Sequence, residues 1–340
     1  MSEQARDETA PSPAAPRPSA LSPAATETFV AHRNLLFTVA YEILGSATDA
    51  EDVLQETWLR WVRVDLDTVR DRRAYLVRIA ANQAVTRLRT LGRRRESYVG
   101  CWLPEPLLTA PEVADDVELA ESVSMAMLLV LETLTPTERA VFVLREVFGF
   151  GYDEIARAVD KSVAAVRQIA HRARSHVAAR RPRGAASPED AEAALAAFQR
   201  AIETGDVQGL VDVLAPDVVA VADGGGVRDA VLRPLVGAEK VARLLSAGPR
   251  RAGVGLRLEW VHVNGGPGFV VRIDGADGGR ADGGGAAAGR DGDAVAVHPG
   301  EGEVDGVLAV RVGEQGVSGI YYVRNPEKLS WLGEEMAVSR

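Results

Sequence analysis

The stretch LTPTERAVFVLREVFGFGYDEIARAVDKSVAAVRQIAHRAR, residues 134–174, decides how this chain is read. Thr135-Pro136-Thr137-Glu138 places an N-cap hydroxyl, a proline at the first helical position and a glutamate able to close a capping box. Val141, Phe142, Leu144 and Val147 continue with helical apolar spacing to a stop at Gly149-Phe150-Gly151. A short helix over 152–159 buries Ile155 and Ala156. After the turn Asp160-Lys161, Ser162 caps a last helix over 163–180. Its apolar stripe is Val163, Val166, Ile169, Ala170, Ala173 and Val177. Two short helices of this spacing make a helix-turn-helix, whose second member enters a major groove. Ser162 stands at its start, and Ala164, Ala165, Arg167, Gln168, His171, Arg172 and Arg174 face outward along it. A plain helical hairpin is the competing reading. Against it, residues 161–183 hold seven basic residues and no acid. No other His or Cys stands at ligand spacing from His171, so it reads as a phosphate or solvent contact rather than a metal ligand.

A second basic stretch lies about seventy residues upstream: residues 70–95 hold nine arginines against Asp71. Net charge is −9, which taken whole opposes a polyanionic partner. The local field at the contact surface steers such a partner, and the acids gather elsewhere, over 49–67, 105–121 and the C-terminal half. Two separated basic helices can hold two separated DNA segments. Only three lysines stand beside 36 arginines, a bias that reads as codon composition.

The length of 340 residues predicts two or three domains, and no apolar run approaches the ~20 residues of a membrane helix. The single Cys101 excludes an intrachain disulfide and any multi-cysteine zinc site, which fits a reduced, cytoplasmic setting. No cofactor or metal is expected. Residues 1–25, rich in Ala, Pro and Ser, read as a disordered tail.

In the front module, Phe29, Leu36, Phe37, Ala40 and Leu44 recur at helical spacing up to Gly45. Asp49 is the expected N-cap of the next helix, DAEDVLQETWLRW, which buries Val53, Leu54, Trp58, Trp61 and Val62. Its other face shows Glu51, Asp52, Gln55 and Glu56, either a solvated face or a docking surface. A third helix over 74–91, AYLVRIAANQAVTRLR and beyond, buries Leu76, Ile79, Ala80, Ala84, Leu88 and Leu91. Arg78, Asn82, Thr86 and Arg89 then share its outer face, extended by Arg93, Arg94 and Arg95. Arginine forks pair with phosphates, and amides reach base edges.

This acidic, tryptophan-bearing helix, followed by a basic helix and an arginine cluster, resembles region two of an extracytoplasmic-function (ECF) sigma factor. The 134–174 stretch resembles region four of the same family. The resemblance implies that Asp52, Gln55, Glu56 and Trp58 face the clamp of core RNA polymerase. It also implies that a loop over 64–73 receives a flipped base, and that Arg78, Asn82, Arg89, Arg93 and Arg94 contact the promoter −10 element. Ser162, Ala165, Arg167, Gln168, His171, Arg172 and Arg174 would contact the −35 element. The predicted layout is region two over 26–97, a linker over 98–117 and region four over 118–183. YVGCWLPEPL, residues 98–107, is similar to a signature of sigma-J-like ECF factors, which carry an extra C-terminal domain.

From Ser187-Pro188 onward a helix over 189–204 and a shorter one through Leu214 are expected. Alternating strands follow at 218–222, 256–263, 269–273, 307–312 and 320–323. Helices first and an antiparallel sheet after suggest an α+β fold. This order resembles SnoaL-like domains of the NTF2-like superfamily, cones with an apolar pocket, here over 188–335 and open to a small ligand. Residues 275–293, rich in Gly, Ala and Asp, read as a disordered insertion. Asp223-Gly224-Gly225-Gly226 and Asn325-Pro326-Glu327-Lys328-Leu329 are similar to two motifs of the sigma-J-like subgroup, although Val227 intervenes before Arg228. These motifs are the expected regulatory contacts, Asp223, Gly224, Gly225, Gly226, Asn325, Pro326 and Lys328, packing on the sigma modules or connector. The whole is expected to be a non-enzymatic transcription initiation factor regulated in cis. The alternative is a SnoaL-type enzyme fused to a DNA-binding regulator, with Asp223, His262, Asp274 and Tyr321 as acid–base groups.

Overall fold

The computed structural model describes residues 22–340 except 96–97, 99, 182–183, 185, 229, 253–254, 275–302 and 333–334. Most of the expected N-terminal tail and all of the 275–293 insertion lie outside the described residues. The tail does not reach residue 25, because helix α1 spans Pro23–Leu44, with proline in its first turn. Gly45 ends it in the left-handed region at φ 70°, its N–H donating to the Tyr41 carbonyl.

Helix α2, Ala47–Trp61, starts one residue later. Its cap is Ser46, whose hydroxyl accepts from the Asp49 N–H at 3.0 Å, and not Asp49 as expected from sequence. The early stop at Gly45 leaves Ser46 at the position that must cap. Helix α3 spans Arg72–Arg95, longer at both ends than expected. Trp61, Leu36, Ile43 and Leu76 are fully buried between the three helices, and Trp61 Nε1 donates to the Ala25 carbonyl at 2.9 Å. Trp58 and Val62, expected in that stripe, are only half-buried.

The linker contains a short helix, α4, Pro111–Asp115, followed by α5, Val117–Val123, and α6, Met125–Leu131. Helix α7, Pro136–Phe142, carries the expected capping box, Thr135 with Glu138. It then loosens into a π-helical turn, Val143–Val147. Helix α8, Tyr152–Val159, and helix α9, Val163–Arg180, form the helix-turn-helix. Asp160 at φ 54° makes the turn, and the Ser162 hydroxyl caps α9 by accepting from Ala165 N–H at 3.2 Å.

One continuous apolar cluster joins both helical modules, from Phe29 and Leu76 to Ile155, Val159 and Val177. Of the two basic helices expected from sequence, α3 and α9, the first packs directly on α7 and α8 of the second module. The physical reason is that both modules leave apolar faces that bury each other.

The C-terminal domain opens with α10, Pro188–Thr204, capped by Ser187, and α11, Val207–Val213. Strand β1, Leu214–Asp223, precedes β2, Leu235–Val236, and helix α12, Ala238–Ala252, which the sequence pattern did not indicate. Strands β3, Gly255–Val263, β4, Gly266–Asp274, β5, Glu303–Gly313, and β6, Gly316–Val323, complete a six-stranded sheet. Its order is β2-β1-β6-β5-β4-β3. The sheet is mixed rather than antiparallel, since β1 runs parallel to β6. Helix α12 lies in the long crossover between the two, the kind of connection a parallel pair requires.

Leu195, Phe198, Leu210, Val241, Phe269 and Ile320 fill the space between these helices and the sheet. This is where the family resemblance implied an apolar pocket. The other sheet face, with Val221, Val263, Val307 and Val323, packs on Leu103 of the linker and Met125 of α6.

Glu42 of α1 sits at that junction, fully buried, where burial pushes its carboxyl up to about 8 against the pull of Ser122, Arg139 and Arg340. The unfolded chain ionises it near 4.5. The folded state therefore binds the extra proton between these values, so stability falls as pH rises from about 4.5 to about 8 and then levels. Urea midpoints at pH 6 and 8.5 should show a loss on the order of a few kcal/mol that Glu42→Gln abolishes. An equal loss in that variant would sink the assignment.

Candidate nucleic-acid interface

On α9, Arg167, Gln168, His171 and Arg172 are exposed and line a shallow concavity. The Arg167 guanidinium rests 5.6 Å over the Tyr152 ring, which fixes it on the outer face. Arginine, amide and imidazole donors standing together suit phosphates and base edges. Ala165 is half-buried, and the exposed Ser162 is occupied as the cap. Arg174 points elsewhere. Its Nη2 and Nε pair with Glu146 at 2.6 and 3.1 Å, and that carboxylate holds the guanidinium still more firmly charged.

On α3 the outer face is not free. Asn82 Nδ2 donates to the Ala158 carbonyl of α8 at 3.3 Å, and Arg89 Nη2 to Thr137 Oγ1 of α7 at 3.2 Å. Arg73 lies 5.0 Å over the Phe150 ring, while Arg78 stacks 4.5 Å over Tyr75. Arg93 and Arg94 end the helix, and their side chains lie outside the described residues.

The acidic face of α2 is partly answered within the module. Arg87 of α3, not singled out from sequence, donates to Asp49 at 2.5 Å and to Asp52. Burial opposes its charge, but those carboxylates outweigh it. Gln83 donates to Glu56 at 2.5 Å, Gln55 is exposed, and Trp58 meets the Phe29 ring edge-on at 5.1 Å.

A third cluster joins the linker to the C-terminal domain. Asp223, fully buried at the end of β1, accepts from Lys328 Nζ at 2.7 Å, Leu103 N–H at 2.8 Å, Tyr98 hydroxyl at 2.5 Å and Gly225 N–H at 3.0 Å. Lys328 also donates to the Leu103 carbonyl at 2.6 Å and lies 4.2 Å over Trp102. Asn325 Nδ2 donates to the Tyr98 hydroxyl at 2.9 Å, and Pro326 opens a 3-10 turn, Pro326–Lys328. Gly225 has φ +66°, and a Cβ there would meet Asn325 at 2.5 Å, so only glycine fits between the two motifs. Gly224 is equally tight, a Cβ meeting the Arg228 carbonyl at 2.0 Å, and Gly226 adopts φ 73°.

The linker is tied down further along. Glu105 caps α2, accepting from Ala47 and Thr48 N–H groups at 2.8 and 3.0 Å and from the Ser46 hydroxyl at 2.8 Å. Burial raises its pKa, and these donors draw it part of the way back. Asn264, in the β3–β4 turn, accepts from Leu107 N–H at 3.0 Å and donates to the Tyr41 hydroxyl of α1 at 2.6 Å. Sequence reasoning missed both residues. The φ of 56° at Asn264, just before Gly265, is the kind of turn chemistry a hairpin signal can flag.

The acid–base groups of the enzymatic alternative do not converge. Asp223 is consumed by the linker contacts above. Tyr321 lies on the linker-facing side of the sheet with Val323, whereas strand alternation puts His262 on the opposite side from Val263. The side chain of Asp274 lies outside the described residues.

These features define a helical two-module DNA-binding chain whose connector is gripped by a fused α+β domain. The sigma-70 region 2 family matches residues 28–94, and sigma-70 region 4 matches residues 124–177. The ECF RNA polymerase sigma factor SigJ of Mycobacterium tuberculosis is 36% identical over 260 residues, covering 74% of this chain and 83% of that one. A probable ECF sigma factor of the same species, SigI, is 32% identical over 214 residues, covering 62% and 72%. The crystal structure of M. tuberculosis SigJ superposes with a TM-score of 0.66 at 28% identity, covering 92% of this chain and 99% of that one. The chain belongs to the ECF sigma factor family. It is an alternative sigma factor directing promoter recognition, with sigma regions two and four followed by a SnoaL-like domain. The curated relatives reported above are named as sigma factors. Among the described residues no helix is long and apolar enough to cross a membrane.

Proposed function

We propose that the arrangement described is the closed form of this sigma factor, and that its C-terminal domain regulates it in cis by holding the connector. The observation that carries this reading is the unequal state of the two DNA-facing helices. Asn82 and Arg89 of α3 are engaged by region four, while Arg167, Gln168, His171 and Arg172 of α9 stand open. In this reading α9 reads the −35 element, with Ser162 and Ala165 at its N-terminal end and Arg174 held back by Glu146. Arg78, Asn82, Arg89, Arg93 and Arg94 meet the −10 element after α3 separates from α7 and α8. Asp52, Gln55, Glu56 and Trp58 dock on core RNA polymerase. The grip on the connector comes from Asp223, Gly224, Gly225, Gly226, Asn325, Pro326 and Lys328. The proposed units are residues 26–97, 98–117, 118–183 and 188–335.

The test is selection of promoters from random DNA with reconstituted holoenzyme, followed by run-off transcription. Core-dependent transcripts bearing two common upstream elements support the reading, and none from any promoter rejects it.

For the −35 module, Arg172→Ala is expected to weaken binding about equally across DNA sequences and to flatten the salt slope by about one unit. Gln168→Ala should instead relax sequence preference, each lost base-edge contact costing about 1–3 kcal/mol. Fluorescence anisotropy across a salt series separates the two. An unchanged slope in Arg172→Ala removes it from the phosphate contacts.

A further inference from the structure

Past the Asp223–Lys328 contact the chain leaves the C-terminal sheet and lies on the sigma modules. Trp331 packs on the helical core, and its Nε1 donates to Thr48 Oγ1 at the start of α2 at 3.0 Å. Over residues 335–340 exposed and covered positions then alternate. Glu335 and Ala337 face solvent, Met336 and Val338 are buried, and Arg340 is exposed again. A period of two in a segment that is not helical marks an extended chain with one face down.

Each of its contacts falls on a different part of the sigma modules. Met336 N–H donates to the Leu108 carbonyl of the connector at 2.8 Å. Ser339 N–H donates at 3.0 Å to the hydroxyl of Thr38, a fully buried residue of α1. The Arg340 guanidinium donates to Asp116 and Glu118, at the start of α5, at 2.5 Å each. Met336 and Val338 join the apolar cluster shared by the two helical modules.

The connector meets the C-terminal domain on its other side as well. Thr109 N–H donates to the His262 carbonyl at 3.0 Å, and Asn264 N–H donates to the Leu107 carbonyl at 2.8 Å, around a bridge of Leu108 with Val263. Backbone groups of successive residues in an extended chain point to opposite sides, so Leu107 and Thr109 face β3 while Leu108 faces the tail. The connector is thus held like a strand between two neighbours, one of them only a short tail. Two buried apolar side chains and a few hydrogen bonds must offset the entropy of ordering that tail. These opposing terms are of similar size, which makes the outer neighbour the one that can detach.

We infer that residues 335–340 are a detachable strap, and that the groove between α1, the connector and the start of α5 is a peptide-binding site. It recognises two apolar side chains at alternate positions followed by an arginine. Vacating the groove frees the outer side of the connector and so favours release of region two from region four. That gating rests on the closed-form reading; the binding of the strap does not.

The probe is a fluorescein-labelled peptide of residues 335–340, EMAVSR, followed by anisotropy as the full chain is titrated in. In the wild type the tethered tail fills the groove at an effective concentration in the millimolar range, so the peptide should find no open site. Met336→Asp/Val338→Asp in the full chain withdraws the tail. The peptide should then bind saturably at one site with a Kd below about 1 mM, the ceiling set by a tail that docks in cis. The same peptide carrying Val338→Asp should not bind. If Met336→Asp/Val338→Asp does not fold, Ser339→Pro/Arg340→Glu replaces it, removing the donor to Thr38 and reversing the charge that faces Asp116 and Glu118. In run-off transcription with core polymerase the released variant should exceed wild type about fivefold or more, and saturating peptide should bring it back down. No saturable binding up to about 1 mM, or equal binding to wild type and variant, overturns the strap. Saturable binding to a variant that transcribes only as well as wild type overturns the gating. If the covalent α3–α7 tether still silences such a chain, the fault lies with the strap and not with the closed form.

Discussion

Covalent tethering of α3 to α7 silences promoter-dependent transcription until the tether is cut. Arg89 spans from α3 to Thr137 Oγ1 at 3.2 Å, so a reagent about as long as an arginine side chain bridges the same gap. In an Arg89→Cys/Thr137→Cys chain with Cys101→Ser, a reversible bis-thiosulfonate linker would hold region two on region four. The locked population cannot present α3 to the −10 element, so run-off transcription should fall at least about tenfold against the same sample after reduction. Comparison within one sample cancels the loss of Arg89 itself. Binding of the isolated −35 duplex should change little, because the tether attaches to α3 and α7 and to no residue of α9. A tethered protein that transcribes as well as its reduced form ends the closed-state reading.

The parts of this architecture that follow from local chemistry were readable in the chain. Thr135 to Glu138, Gly45, Ser162 and the Asp160 turn each specify their structure within a few residues, and each is found doing so. Ser46 and Asp49 were both competent caps, and only the exact end of α1 chose between them. Helix α12 was hidden because Gly248-Pro249 reads as a breaker inside it. The parallel β1–β6 pair joins residues about a hundred apart, a distance at which no periodicity speaks.

The same limit applies to the site. The outer face of α9 was visible as a stripe, but nothing local reveals that α3's outer face is covered by α8. Arg87 looked like one arginine among nine, and its role depends on α2 lying alongside. One signal lies in the composition. In a chain with three lysines and 36 arginines, a lysine at 328 is an exception. The buried space between Asp223, the Leu103 carbonyl and Trp102 accepts a compact ammonium with three donors, where a guanidinium would leave some of its five unsatisfied.

That lysine supports the second large effect. Lys328→Met strands the Asp223 carboxylate in the core, still bonded to Leu103 N–H but without its cation. Breaking a buried pair from one side costs about 3–5 kcal/mol, while replacing both members costs far less. Lys328→Met is therefore expected to lower the urea midpoint sharply, and Asp223→Asn/Lys328→Met to recover much of the loss. The interaction energy of the cycle would then be large and of the sign expected for direct contact. Transcription separates a latch from a mere structural prop. If the pair restrains the connector, the double variant, folded but with a weakened grip, should yield more run-off product per chain than wild type. If the domain only props up the fold, output should follow stability and never exceed wild type. Tyr98, Leu103 and Trp102 of the connector all converge on this one ion pair, to which neither DNA-facing helix contributes a residue, so the double variant loosens the connector while leaving both of those helices intact.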